Sequence, residues 1–155
     1  DVNGPPALAH VASAEGLQAI HHLAGKDPEP IDRSCIPACI YCQPQVASVG
    51  MTEKEAREDG REVKIGRFPF TANGKAVAIG ETEGFVKLIA DEASGEILGA
   101  HIIGPEATEM IAELTVGKQA ELTLHDIHGT IHAHPTLSES VLEAAADWCG
   151  EAVQI

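Results

Sequence analysis

The stretch GFVKLIADEASGEILGAHIIG, Gly84 to Gly104, decides the fold. Apolar and β-branched residues fill both of its arms. Ala93-Ser94-Gly95 between them is turn chemistry, so the second arm returns antiparallel to the first as a hairpin. Working outward, VKIGRFPF (63–70) reads as another strand. IPACIYCQPQVASVG (36–50) leans to β structure but is interrupted by Pro37 and Pro44, which fits an edge strand or two short extended pieces. TEKEAREDG (52–60) predicts a short helix, with Thr52 and Glu55 at capping-box spacing and Gly60 as its stop. PEATEMIAELTVGKQAEL (105–122) predicts a helix opening at Pro105, with acids in its first turn where they suit the dipole, and TLSESVLEAAADWCG (136–150) predicts another. Helices arranged around an antiparallel hairpin make residues 34–155 an α+β domain.

Upstream of it, ALAHVASAEGLQAIHHLAG (7–25) repeats apolar side chains at helical spacing through Leu8, Val11, Leu17, Ile20 and Leu23, weakened at Gly16 and stopped at Gly25. The Pro-rich, charged KDPEPIDRS (26–34) is a connector, which sets a domain edge near Ser34. The opening DVNGPPALAHVASAEG (1–16) has neither an initiator Met nor a strand leading into its turn, so residues 1–33 are expected to be a remnant of a preceding domain.

Composition narrows the function classes. Aromatics are 3% of the 155 residues, so the core must come from Ala, Val, Ile and Leu. With 24 acidic against 10 basic residues the formal charge is −14, which repels nucleic-acid phosphates and anionic lipid heads alike, so neither is an expected partner. No apolar run approaches the roughly 20 residues of a membrane-spanning helix. Four cysteines, three of them bunched, do not make a disulfide scaffold and fit a reducing compartment, cytoplasmic in a bacterium or the mitochondrial matrix otherwise.

Three constellations compete for the chemistry. Cys35, Cys39 and Cys42 have the CxxxCxxC spacing of a cluster-binding loop, but too little chain follows for the barrel such a cluster needs; small side chains buried on a strand are the expected role. His125, His128, His132 and His134 invite a metal, yet their spacing is irregular and a zinc site needs ligands converging at about 2 Å, so no metal is expected. In HAHPTLSE (132–139), His134 precedes Pro135, an arrangement compatible with a cis bond that fixes the ring. Glu139 can orient the imidazole as a general base, or pair with Thr136 as a capping box; the spacing serves either.

IHAHPTLSE resembles the catalytic signature of the flavin-dependent pyridine nucleotide–disulfide oxidoreductases, and is closest to the dihydrolipoamide-oxidising members. DVNGPPALAHVASAEG is similar to that family's flavin-facing segment, IPACIYCQPQVASVGMTEKEA to the opening of its interface domain, and GFVKLIADEASGEILGAHIIGPEATEMI to that domain's hairpin and helix. The resemblance implies an FAD-domain remnant over 1–33 and a dimerisation domain over 34–155. It implies His134 as a base reaching across a homodimer to the partner's flavin and disulfide, with Glu139 orienting it. Asp1 and the helix start Ala7, Leu8, Ala9 and His10 would meet FAD. The implied reaction is NAD-dependent oxidation of dihydrolipoamide carried on a lipoyl domain of a 2-oxo-acid dehydrogenase complex. Glutathione or mercuric reduction is the alternative within the family. An assembly domain without activity of its own is the alternative outside catalysis. The chain by itself is expected to be inactive and to hold no cofactor tightly.

Overall fold

The structure, a computed structural model, describes residues 1–154. It divides into two units, Asp1–Ile36 and the remainder from Pro37. In the first, α1 (Ala9–Leu23) is followed by Gly25 at φ +74°. Of its apolar side chains only Val11 is buried, and Leu17, Ile20 and Leu23 are exposed. The connector folds back through Arg33, whose guanidinium donates to the Pro5 carbonyl at 2.8 Å and the Glu15 carboxylate at 2.6 Å.

The second unit is an α+β domain on a five-stranded, wholly antiparallel sheet. Its strands are β1 (Ala38–Ile40), β2 (Gln45–Gly50), β3 (Val63–Pro69), β4 (Phe85–Asp91) and β5 (Ile97–Gly104), in spatial order β1-β2-β5-β4-β3. The prolines split the first extended stretch into β1 and β2, the two-piece outcome of the sequence reading. The β4–β5 turn is closed by Asp91, whose Oδ1 accepts from the Ala93 and Ser94 N–H groups, and Gly95 takes φ +77°. Strand alternation then sorts the side chains. Val86, Leu88 and Ala90 of β4, with Ala100 and Ile102 of β5, enter the main core. Ile89 and Leu98 face the other way, against Ala56 of α2 (Glu53–Glu58).

The main core is roofed by α4 (Ala107–Gln119) through Met110, Ile111 and Leu114, and by α6 (Glu139–Cys149) through Val141, Ala144, Ala145 and Trp148. Both expected capping residues of α2 are in place, with Thr52 and Glu55 bonded reciprocally. The start of α4 differs from expectation. The helix begins at Ala107 after Glu106, which caps it from a left-handed φ of +52° with no side-chain bond; Glu109 is the one acid of its first turn. Two further short helices fill the connections: α3 (Gly74–Ile79), where the sequence reading placed no element, and α5 (Leu124–Gly129), under a full Thr123/Asp126 capping box. No helix among the described residues is long and apolar enough to cross a membrane.

Candidate active site

Loop 130–138 joins α5 to α6 and carries both histidines of the signature. Its first, His132, has a side chain only 6% exposed, with Nε2 2.8 Å from the Glu113 carboxylate on α4 and Nδ1 2.9 Å from the Thr130 carbonyl. That pins the loop to α4. His134 points the other way, with 75% of its side chain exposed. Its peptide bond to Pro135 is cis. Nδ1 lies 2.9 Å from Oε1 of Glu139, the first residue of α6.

Of the two arrangements the spacing allowed, the ring contact forms and the capping box does not, because α6 begins at Glu139 behind Ser138 with no side-chain cap. One Glu139 oxygen meets His134, and the other accepts the Thr136 N–H at 2.8 Å. The reciprocal half of a capping box is absent, because Thr136 Oγ1 donates to the Ala133 carbonyl at 2.7 Å. Burial works against the charge on Glu139, but the Thr136 N–H, the His134 ring and the nearby His132 outweigh it and hold the carboxyl below the usual glutamate range. An ionised carboxylate can only accept, so Nδ1 of His134 carries a proton and Nε2 is the ring nitrogen left facing solvent. Nε2 has no partner among the described residues. An exposed imidazole with an open outward nitrogen and a carboxylate behind it has the geometry that general-base chemistry requires.

Asn73 supports the loop from below. It is 2% exposed, accepts the Ala76 N–H at Oδ1, and donates from Nδ2 to the Thr136 carbonyl and to Ser140 Oγ. Sequence reasoning missed it, and Glu113 as well. Asn73-Gly74 reads as turn chemistry, and nothing in the sequence announces a contact 63 positions away.

The remaining histidines scatter. His128 pairs with Glu151 at 3.1 Å, and His125 stacks edge-on against Trp148 with its Nδ1 3.7 Å from Cys149 Sγ. Among the described residues no three His, Cys, Asp or Glu side chains form a group able to hold a metal ion. Nor do the bunched cysteines share a strand. Cys35 is buried in a 3-10 turn, Cys39 lies half-buried on β1, and Cys42 is exposed beyond it, so the strand-buried role fits none of the three fully. Burial pushes the Cys39 and Cys149 thiols up, away from thiolate reactivity.

The residues expected at FAD lie in the first unit. Ala7 and Leu8 precede α1, and Ala9 and His10 open it. The helix has no side-chain cap and no acid in its first turn. A cavity of about 750 Å³ in the same unit is lined by Asp1, Val2, Ala12, Glu15 and Arg33, among others, but not by Ala7–His10.

Residues 36–145 match the family model described as pyridine nucleotide-disulphide oxidoreductase, dimerisation domain, a span that contains His134 and Glu139. The chain is 51% identical over 153 residues to the dihydrolipoyl dehydrogenase of Bacillus subtilis, covering 99% of the chain and 32% of the relative. It is 47% identical over 152 residues to that of Haloferax volcanii, covering 98% and 32%. The crystal structure of LpdA from Mycobacterium tuberculosis superposes with a TM-score of 0.86 at 28% identity, over 92% of this chain and 31% of that one. The HOCl-induced flavoprotein disulfide reductase RclA from Escherichia coli gives 0.85 at 28% identity, over 91% and 33%. The chain thus spans about a third of the length of the relatives it matches.

Proposed function

The chain belongs to the pyridine nucleotide-disulphide oxidoreductase family through its dimerisation domain, and from that premise we propose that in the complete protein His134 is the base of a dihydrolipoyl dehydrogenase. The observation that carries this reading is the His134–Glu139 pair at 2.9 Å, with Nε2 open and the ring otherwise exposed. A base that must reach a substrate dithiol at the partner subunit's disulfide needs such a projecting ring, and a dimerisation domain is the part that brings two copies together.

His134 Nε2 takes the proton of the substrate dithiol as the thiolate attacks the enzyme's redox disulfide. Glu139 holds Nδ1–H, keeps the productive tautomer and stabilises the imidazolium that forms. His132, tied to Glu113, keeps the loop on α4 while this happens. FAD, when bound, supplies the electron transfer between the dithiol and NAD. Asp1 and the helix start Ala7–His10 would hold part of that FAD, the carboxylate toward hydroxyl groups and the helix end toward an electron-rich edge. Residues 1–33 are then a piece of the FAD domain and 34–155 the interface domain. The whole enzyme works as a homodimer, with a lipoyl domain of a 2-oxo-acid dehydrogenase complex as partner and the cytoplasm as its compartment.

Assay of the complete enzyme with dihydrolipoamide and NAD, beside glutathione disulfide and a reduced nicotinamide, tests the substrate. Turnover of dihydrolipoamide alone is expected, and turnover of glutathione disulfide alone would overturn the assignment.

A further inference from the structure

Resting on the reading of His134 and Glu139 as base and orienter, we propose that Asn73 is the positioning residue of the pair, acting through the Thr136 backbone. Its three side-chain hydrogen bonds run to α3, the loop before α6, and the first turn of α6. Oδ1 accepts the Ala76 N–H at 2.9 Å and caps α3, Nδ2 donates to the Thr136 carbonyl at 3.0 Å, and Nδ2 also donates to Ser140 Oγ at 2.9 Å in the first turn of α6. Thr136 is therefore gripped on both sides. Its carbonyl is held by Asn73, and its N–H is held by the carboxylate that orients His134.

Capping α3 needs only an oxygen, which serine supplies about as well as asparagine. The amide nitrogen is the part that a cap does not use, and both of its protons are spent on the turn and helix start that carry Glu139. Asn73 and Ser140 are both buried, 2% and 0% exposed, so water does not replace the bond between them if the amide is lost, and the half-buried Thr136 carbonyl loses its fixed donor. With the Thr136 carbonyl released, the turn relaxes, the Glu139 carboxylate loses its fixed angle on Nδ1, and the imidazolium loses stabilisation. Asn73 touches no reacting atom; its effect on the base passes entirely through Thr136 and Glu139.

The test uses the complete enzyme carrying Asn73→Ser, which keeps the cap and removes the amide. The rate of dihydrolipoamide oxidation is expected to fall about tenfold, the equivalent of one buried hydrogen bond. The acidic limb of the kcat/KM pH profile moves to lower pH, because His134 protonates less readily. Glu139→Gln moves that limb in the same direction, and adding Asn73→Ser to it shifts the limb less than twofold in proton concentration further, the non-additivity of residues acting through one contact. A limb that stays at its wild-type position in Asn73→Ser, while Glu139→Gln moves it, overturns the role of Asn73 and leaves the base intact. If Glu139→Gln moves neither rate nor limb, the orienting role of Glu139 falls, and with it the route by which Asn73 acts. Should Asn73→Ser melt below the assay temperature, Asn73→Asp keeps the shape and the cap but sets a carboxylate against the Thr136 carbonyl. Its rate falls at least tenfold, and a wild-type rate overturns the proposal.

Discussion

Adding one methyl at Gly66 drives α6 off the sheet. A Cβ built there lies 2.0 Å from the Ala144 carbonyl oxygen and 2.9 Å from Trp148 Cβ, whereas carbon and oxygen pack at about 3.3 Å or more. Over 1 Å of separation is needed, and the obstacle is helix backbone, which has no rotamer to yield. The contact sits inside the main core, where Trp148 is 4% exposed and Ala144 fully buried. Overpacking of this kind costs about 1–3 kcal/mol, and a backbone obstacle puts Gly66→Ala at the upper end. For a chain of this size that lowers Tm by roughly 6–12 °C. Thermal unfolding followed by circular dichroism reads the shift directly. Because α6 opens with Glu139, the same variant should broaden the His134 ring signals in NMR. A Gly66→Ala chain melting within 2 °C of wild type would refute the packing argument.

The Glu139 carboxyl is held below its usual range, so its folded pKa lies under the unfolded value of about 4.3. Its stabilisation is therefore complete above about pH 4.3 and lost as pH falls through the lower folded value; the Tm gap between wild type and Glu139→Gln should narrow from pH 6 to pH 3, and a constant gap contradicts this. The chain is expected to be a dimer in solution, with exposed apolar residues such as Ile131 and Val116 as candidates for cover, and light scattering that reports only monomer at high concentration counts against it. In the complete enzyme Glu139→Gln should slow dihydrolipoamide oxidation by about 10–100-fold, the worth of one charge-assisted hydrogen bond, and an unchanged rate removes Glu139 from the mechanism.

The sheet was readable because its signals are local. The β4–β5 hairpin announces itself through two apolar arms and the turn at Ala93-Ser94-Gly95, and α2 through Thr52 and Glu55. α3 escaped because six residues around Asn73-Gly74 carry too short a pattern to separate a helix from a turn. The start of α4 escaped because Glu106 takes a left-handed backbone angle, which a non-glycine residue does not signal in sequence. At the site, the His134–Glu139 spacing of five residues was visible in sequence, and whether the carboxylate caps a helix or holds a ring was not. It holds the ring with one oxygen and the loop N–H of Thr136 with the other, while α6 starts behind Ser138 without a side-chain cap. The contacts of Asn73 with Thr136 and of Glu113 with His132 join elements far apart in sequence, and only the folded packing brings them together.

The central claim is that His134 acts as a base, and His134→Gln in the complete enzyme tests it most directly. Glutamine keeps a polar side chain but cannot take a proton, so the rate of dihydrolipoamide oxidation should fall by about 10²–10⁴, with flavin content and dimer unchanged in the same sample. A His134→Gln enzyme that is dimeric, flavin-loaded and as fast as wild type would contradict it.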